Sequence, residues 1–251
     1  MQQQTRLMRR LISRSNIFAV LLIAGFASSG SAALMKTQIT KKNGLSKAQR
    51  EARLTHAKEL LGNRYKRSIA MTGENIPKIN GEVYRLTKDR LPKKFRDQYQ
   101  KIAQTIIDES LKNQFDPVFL MSVIEGESSW RPDKVGGVGE VGLMQIRPST
   151  AEWIQKRQGL KWTGAKTLLD PSMNIKIGAA YLKYLRDHYD MHAQLYLAAY
   201  NMGQGNVANA LDRNIWPKDY PIHVMKRYVE FYTTMAESLA EKRRSTKVSK
   251  G

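Results

Sequence analysis

The chain has no cysteine among its 251 residues. That absence excludes disulfide frameworks, thiolate zinc sites, iron–sulfur clusters and cysteine nucleophiles. Histidine is nearly as scarce: only His56, His188, His192 and His223 occur, with no HExxH pair among them. His188 and His192 are four apart, so on one helix they could share a metal, but such a pair is more often two solvated or helix-end histidines. Acids are few as well, with 22 Asp+Glu against 42 Lys+Arg, a formal net charge of +20. What remains is ordinary. A hydrophobic fraction of 41% and a charged fraction of 25% describe a globular chain. The length allows one or two domains at about 100–200 residues each.

The one sustained apolar run is near the start. Residues 1–15 carry Arg6, Arg9, Arg10 and Arg14 and no acid, residues 17–27 read IFAVLLIAGFA, and residues 28–33 are small or polar. A basic segment, a short apolar core and a small-residue end predict a secretory signal peptide over residues 1–33, cut after Ala33 or, as a near rival, Ala32. A retained anchor is the competing reading, although the run is shorter than the ~20 residues that span a bilayer. Export across the inner membrane to the periplasm or cell envelope is therefore expected. Without the four arginines, 38 basic residues still face 22 acids, a net +16. Nucleic acid is the usual partner of so basic a chain, but no aromatic RNA-binding signature, zinc finger or basic heptad array is present. An anionic envelope surface, held by electrostatic contact, suits an exported protein better.

Residues 34–92 read as a small basic region. A helix is expected from Ser46 to Leu61, with Ser46 and Gln49 as a capping box and Gly62 at its end. Residues 63–92 show no clean period and several breaks. If the basic residues of this region hold the protein on an anionic wall, binding should weaken as salt passes ~0.15 M, where charges are screened within ~8 Å.

From Lys93 to about Glu241 the sequence reads as one helical domain. Phe95, Tyr99, Ile102, Ile106 and Leu111 keep helical spacing. Asp116-Pro117 starts a new helix, running to about Ser129. After a Gly-rich stretch, with room for a short hairpin, helices are expected over residues 148–158, with Ser149 and Glu152 as a capping box, and then over 171–189, 192–201, 206–212 and 221–241. The last carries one stripe of Met225, Tyr228, Val229, Tyr232, Met235 and Leu239. Residues 242–251 read as a basic, frayed tail.

Two acids, Glu125 and Glu127, end the apolar helix that Asp116-Pro117 opens. Glu127 follows Phe119, Leu120, Val123 and Ile124 on the apolar face, whereas Glu125 shares its side with polar Ser122. A carboxyl on an apolar face is desolvated, which raises its pKa and suits it to donate a proton near neutrality. A helix-end Glu bent out to water is the competing reading of this residue alone.

The blocks around it carry more. Glu127-Ser128-Ser129-Trp130, Gly142-Leu143-Met144-Gln145-Ile146 and Leu197-Ala198-Ala199-Tyr200-Asn201 occur in order, together with Pro148-Ser149-Thr150-Ala151, Asp170-Pro171, Gly178-Ala179-Ala180-Tyr181-Leu182 and Gly203-Gln204-Gly205-Asn206. The ordered set, over residues 93–239, resembles the soluble lytic murein transglycosylases of the lysozyme-like superfamily. That resemblance implies a mainly α, lysozyme-like domain with at most a short β-hairpin. It implies cleavage of the β-1,4 bond between N-acetylmuramic acid and N-acetylglucosamine in peptidoglycan glycan strands, with a 1,6-anhydro product and no metal or organic cofactor. It gives Glu127 the role of single acid/base and implies that Met144, Gln145, Tyr200, Asn201 and, on the last helix, Tyr228 bind substrate. Trp130, Trp153, Trp162 and Trp216 read as core rather than ligand.

Three features depart from the family. Glu140-Val141 stands where a small pair is common, and Glu140 reads as a cleft-rim residue or else a second acid that would favour hydrolysis. Val224-Met225 replaces an acid and a Thr, and the N-terminal region is short. A hydrolytic muramidase, or a non-catalytic wall-binding or assembly protein, are the alternatives.

Overall fold

The computed structural model describes residues 47–70 and 77–248; the expected signal peptide and Ser46 of the expected capping box lie outside them. Among the described residues the architecture is helical: α1 (Lys47–Leu61), α2 (Pro77–Arg90), α3 (Tyr99–Lys112), α4 (Pro117–Ser128), α5 (Pro148–Gln158), α6 (Pro171–His188), α7 (Ala193–Met202), α8 (Gln204–Asp212) and α9 (Asp219–Val248). Short 3-10 turns at Gly62–Arg67, Lys93–Gln98 and Ala165–Leu169 join them. The mainly α fold expected from the sequence is present, and no described helix is long and apolar enough to cross a membrane.

Helix α4 is the axis of the molecule. Residues 117 to 124 are all buried, so only its last turn opens to solvent. A helix apolar on every side has to be wrapped on every side, and α3 and α9 pack directly against α4. Its start is fixed as predicted: Asp116 caps it by accepting from the Val118 amide at 2.9 Å, and Pro117 occupies the first turn. Its end is abrupt, because Ser129 and Trp130 both take left-handed conformations, φ 50° and 60°. The chain then turns into a loop in which Val135, Val141 and Ile146 form only isolated bridges, so the short hairpin does not reach a named strand.

Asn174 on α6 holds this loop in place. Its side chain accepts from the Met144 amide at 2.7 Å and donates to the Val141 carbonyl at 2.7 Å and to that of Leu168 at 3.1 Å. Gly142 is what lets α6 come so close. It sits at φ +82°, and a Cβ there would lie 2.3 Å from Asn174 Nδ2 and 2.7 Å from the Leu168 carbonyl oxygen. Gly142→Ala should therefore lower stability by roughly 2–4 kcal/mol, combining left-handed strain with overpacking. A thermal melt reads this directly, and an unchanged melting temperature would refute it.

The N-terminal region does not form a separate body. Helix α1 packs against α7, and it buries Arg53 and His56 with Ala57, Leu60 and Leu61. Helix α2 runs through Pro77 and Gly81, which read as breaks in the sequence, and buries Ile79, Val83 and Leu86 on one face against α3. Two further expectations are corrected. The capping box at Ser149 and Glu152 does not form, since α5 begins at Pro148 with Arg147 at the cap and no side-chain cap. Nor is the region from residue 242 onward a separate tail up to Val248: α9 runs through it, and Lys242 donates to buried Glu82 at 2.7 Å. Glu82 is held on its other side by Arg85, so one carboxylate ties the far end of α9 to α2.

Candidate active site

At the open end of α4, a cleft of about 560 Å³ is lined by Glu127, Glu140, Gln145, Tyr181, Tyr200 and Asn201 among others. Four residues proposed from sequence thus meet in one place: Glu127 from α4, Gln145 from the loop, and Tyr200 and Asn201 from α7. Helix α7 brings Tyr200 across to donate to the Met144 carbonyl at 2.8 Å. Gln145 is fixed by its own loop, at φ +47°, donating from Nε2 to the Gly142 and Lys134 carbonyls at 2.9 and 3.1 Å.

Burial pushes the Glu127 carboxyl above the usual carboxylate range, while a hydrogen bond from Tyr220 and the charges of Lys134 and Arg227 pull it back, and Glu140 adds to the rise. The Tyr220 hydroxyl donates to Glu127 Oε1. Burial, then the Glu127 charge, raise both Tyr200 and Tyr220 well above the ordinary phenol value, so both are neutral donors. Lys134 caps the end of the helix by donating to the Glu127 backbone carbonyl. The result is a shielded carboxyl, steadied by one phenol and open to the cleft.

Glu125 is kept apart. It accepts from Trp130 Nε1 at 2.7 Å and pairs with Arg90 at 3.0 Å. Trp130 itself is core, 1% exposed. Glu140 does line the cleft, but Arg147 faces it at 3.5 Å and the Val138 amide donates to it at 3.3 Å.

Two sequence-derived residues need correction. Tyr228 does not face the cleft. It is fully buried and donates to Asp116 Oδ2 at 2.8 Å, at the opposite end of α4 from Glu127. The last-helix tyrosine beside Glu127 is Tyr220, in the first turn of α9. The sequence carried a signal for it: Tyr220 lies eight residues before Tyr228, on the same stripe. Met144 is also fully buried, its side chain against Gly178, and it contributes its carbonyl to Tyr200 rather than a side chain to the cleft.

Tyr220→Phe removes a hydrogen bond to the ionised carboxylate, so the Glu127 pKa should climb further. The high-pH limb of the rate profile should move to higher pH, and kcat should fall roughly tenfold to a hundredfold, the worth of one hydrogen bond to a charged group. A limb that stays in place would separate Tyr220 from Glu127.

Among the described residues no group of three or more His, Asp or Glu side chains is placed to hold a metal. The His188–His192 spacing falls across a break: His188 ends α6, and His192 caps α7 with its ring 5.7 Å from that of Trp216.

With this geometry in view, the sequence comparisons agree on one domain. Residues 104–222 match the model for the Transglycosylase SLT domain. Over those residues the chain is similar to that domain. Glu127, the loop and α7 all lie inside it, and Tyr220 falls near its end. The soluble lytic murein transglycosylase of Escherichia coli K12 is 28% identical over 160 residues, covering 61% of this chain and 24% of that relative. The transglycosylase of Enterobacteria phage PRD1 is 35% identical over 124 residues, covering 49% and 41%. Among solved structures, an inactive mutant of lytic transglycosylase Slt from Pseudomonas aeruginosa is 25% identical with a TM-score of 0.47, covering 55% of this chain and 24% of that one. The match thus spans only about a quarter of the Escherichia coli relative.

Proposed function

We propose that the chain is a lytic transglycosylase of the bacterial envelope that cleaves the β-1,4 bond between N-acetylmuramic acid and N-acetylglucosamine. Glu127 protonates the glycosidic oxygen as that bond breaks. The resulting carboxylate then takes the proton of the muramic 6-hydroxyl, whose oxygen bonds to the anomeric carbon and closes a 1,6-anhydro ring. The proton given in the first step returns in the second, so no water is consumed. The observation that carries the reading is the desolvated Glu127 at the open end of α4, held by Tyr220 and facing a cleft. Burial shifts Glu127 towards the protonated form that a general acid needs, and Tyr220 steadies the base that follows. Gln145 and Asn201 offer amides to sugar acetamido or hydroxyl groups. The SLT domain and the relatives named murein transglycosylases support peptidoglycan as substrate, and their names, one of them membrane-bound, support the envelope as location. Mass analysis of sugars released from sacculi tests the product, since the anhydro sugar is lighter than the hydrolytic one by one water.

Hydrolysis of the same bond is the second reading, and Glu140 favours it, because this second carboxylate shares the cleft. A catalytic carboxylate pair would have to activate water or supply a nucleophile. Glu140 is instead engaged by Arg147 and the Val138 amide. Glu140→Ala should keep the anhydro product and most of the rate. A fall as deep as that of a Glu127 variant would make Glu140 a second catalytic group.

A further inference from the structure

The edge of the cleft continues into an aromatic strip. Thr150 on α5 and Tyr181 on α6 both line the cleft. Three and seven residues further along each helix stand Trp153 with Arg157, and Tyr184 with His188. That spacing keeps each set on one helix face. The rings form a connected series. Tyr181 lies 5.6 Å from Tyr200 in the cleft and 6.5 Å from Tyr184, at an interplanar angle of 10°. Tyr184 meets Trp153 edge-on at 4.6 Å and stacks with His188 at 6.0 Å. The Arg157 guanidinium lies over both rings, 5.0 Å from Trp153 and 5.5 Å from Tyr184. Trp153 is 38% exposed, unlike the core Trp130 at 1%. Among the described residues no carboxylate pairs with Arg157, whereas neighbouring Lys156 is paired with Glu152.

We infer that this strip is a binding site for the part of a glycan strand that extends beyond the cleft, with aromatic faces under its pyranose rings and Arg157 meeting a carboxylate on the strand. The inference rests on the proposed function for the identity of the polymer. Rigid aromatic rings offer an apolar surface at little conformational cost, which suits the C–H faces of sugars. A guanidinium already held against two rings loses little freedom on binding, and its fork matches a carboxylate. Wall glycans carry both features, in lactyl-linked peptide stems on repeating pyranoses. Continuity with the cleft through Tyr181 and Tyr200 gives the strand its direct way in.

The test compares the full chain with its Trp153→Ala and Arg157→Gln variants, measuring both binding and cleavage. The substrates are long, uncross-linked glycan strands bearing stem peptides, and a tetrasaccharide fragment. Each variant should weaken long-strand binding by about tenfold, equivalent to 1.4 kcal/mol, and raise KM in step while kcat holds. Tetrasaccharide binding and turnover should not change. Arg157 is exposed, so its variant removes the charge without opening the core, and it answers the objection that Trp153 only packs α5 on α6. Unchanged long-strand binding in both variants overturns the strip, as does an equal loss on both substrates. A wild-type chain that binds strands through these residues yet cleaves neither substrate would leave the strip standing and remove the proposed function instead.

Discussion

Glu127→Gln is expected to lower turnover on sacculi by about 10²–10⁴-fold, the range for loss of one acid/base group. Gln keeps the shape of the side chain and can still accept from Tyr220, but it carries no transferable proton, and here one residue serves both steps. Stability should move the other way. Burial holds the Glu127 pKa above its unfolded value, so between those two values the folded state binds the proton more tightly and loses stability as pH rises. Gln does not titrate. The variant should therefore melt at a higher temperature than wild type at neutral pH, and the advantage should vanish once pH falls below the ordinary carboxylate range of about 4. Glu125→Gln is the control, because Glu125 is tied to Arg90 and Trp130 outside the cleft. Retention of roughly a tenth or more of wild-type turnover, far above what loss of an acid/base group leaves, would take Glu127 out of the reaction.

Deleting residues 34–63 should destabilise the helical domain rather than release it from the wall. Residues 34–46 lie outside the described structure, but α1 reaches the core. Arg53, one of the basic residues the wall-holding idea relies on, is only 2% exposed and donates from Nη1 to the Tyr232 hydroxyl at 2.6 Å. Tyr232 and Tyr228 both donate to Asp116, the cap of α4. His56 accepts from the Asp116 amide at 3.2 Å through Nδ1, and burial, then Arg186, hold it neutral. Glu59 takes Arg186 with both oxygens, at 3.0 Å each from Nε. Arg186, 4% exposed in the intact chain, loses its carboxylate partner when α1 is removed. Breaking a buried ion pair costs about 3–5 kcal/mol, against a total stability of about 5–15 kcal/mol. The lost burial of Ala57, Leu60 and Leu61 adds to that. The melting temperature should fall by about 10 °C or more, at 2–4 °C per kcal/mol for a chain of this size, and activity should be lost alike on soluble muropeptides and sacculi. Intact cleavage of a soluble muropeptide, with weakened and salt-insensitive binding to sacculi, would restore the wall-holding role.

Helix α4 could be placed from the sequence because its signals are local. Asp116-Pro117 starts it and a run of apolar residues broken only by Ser122 fills it, and the acid at its end is singled out by the same 3.6-residue period. The ordered blocks then named the cleft residues Glu127, Gln145, Tyr200 and Asn201 without reference to any distance. Helix α2 was missed because Pro77 and Gly81 read as breaks, whereas Pro77 opens the helix, Gly81 lies inside it, and Ile79, Val83 and Leu86 are buried where α3 covers them.

The choice between Tyr220 and Tyr228 marks the boundary between what the chain dictates and what the fold decides. Both lie on one stripe of α9, so helical period alone predicts that both face α4. Eight residues at 1.5 Å each put them about 12 Å apart along the axis, enough to reach opposite ends of α4. Which one reaches Glu127 depends on how α9 slides along α4, and that is set by packing and by the Asp116 cap holding Tyr228 and Tyr232. The same holds for α1, where no local pattern pairs Arg53, His56 and Glu59 with the Tyr232, Asp116 and Arg186 that stand opposite them. Local period and capping determine which helices form and which face of each is buried. Axial register, and the partner each buried polar group finds, come from contacts between residues far apart in the chain, which no local pattern encodes.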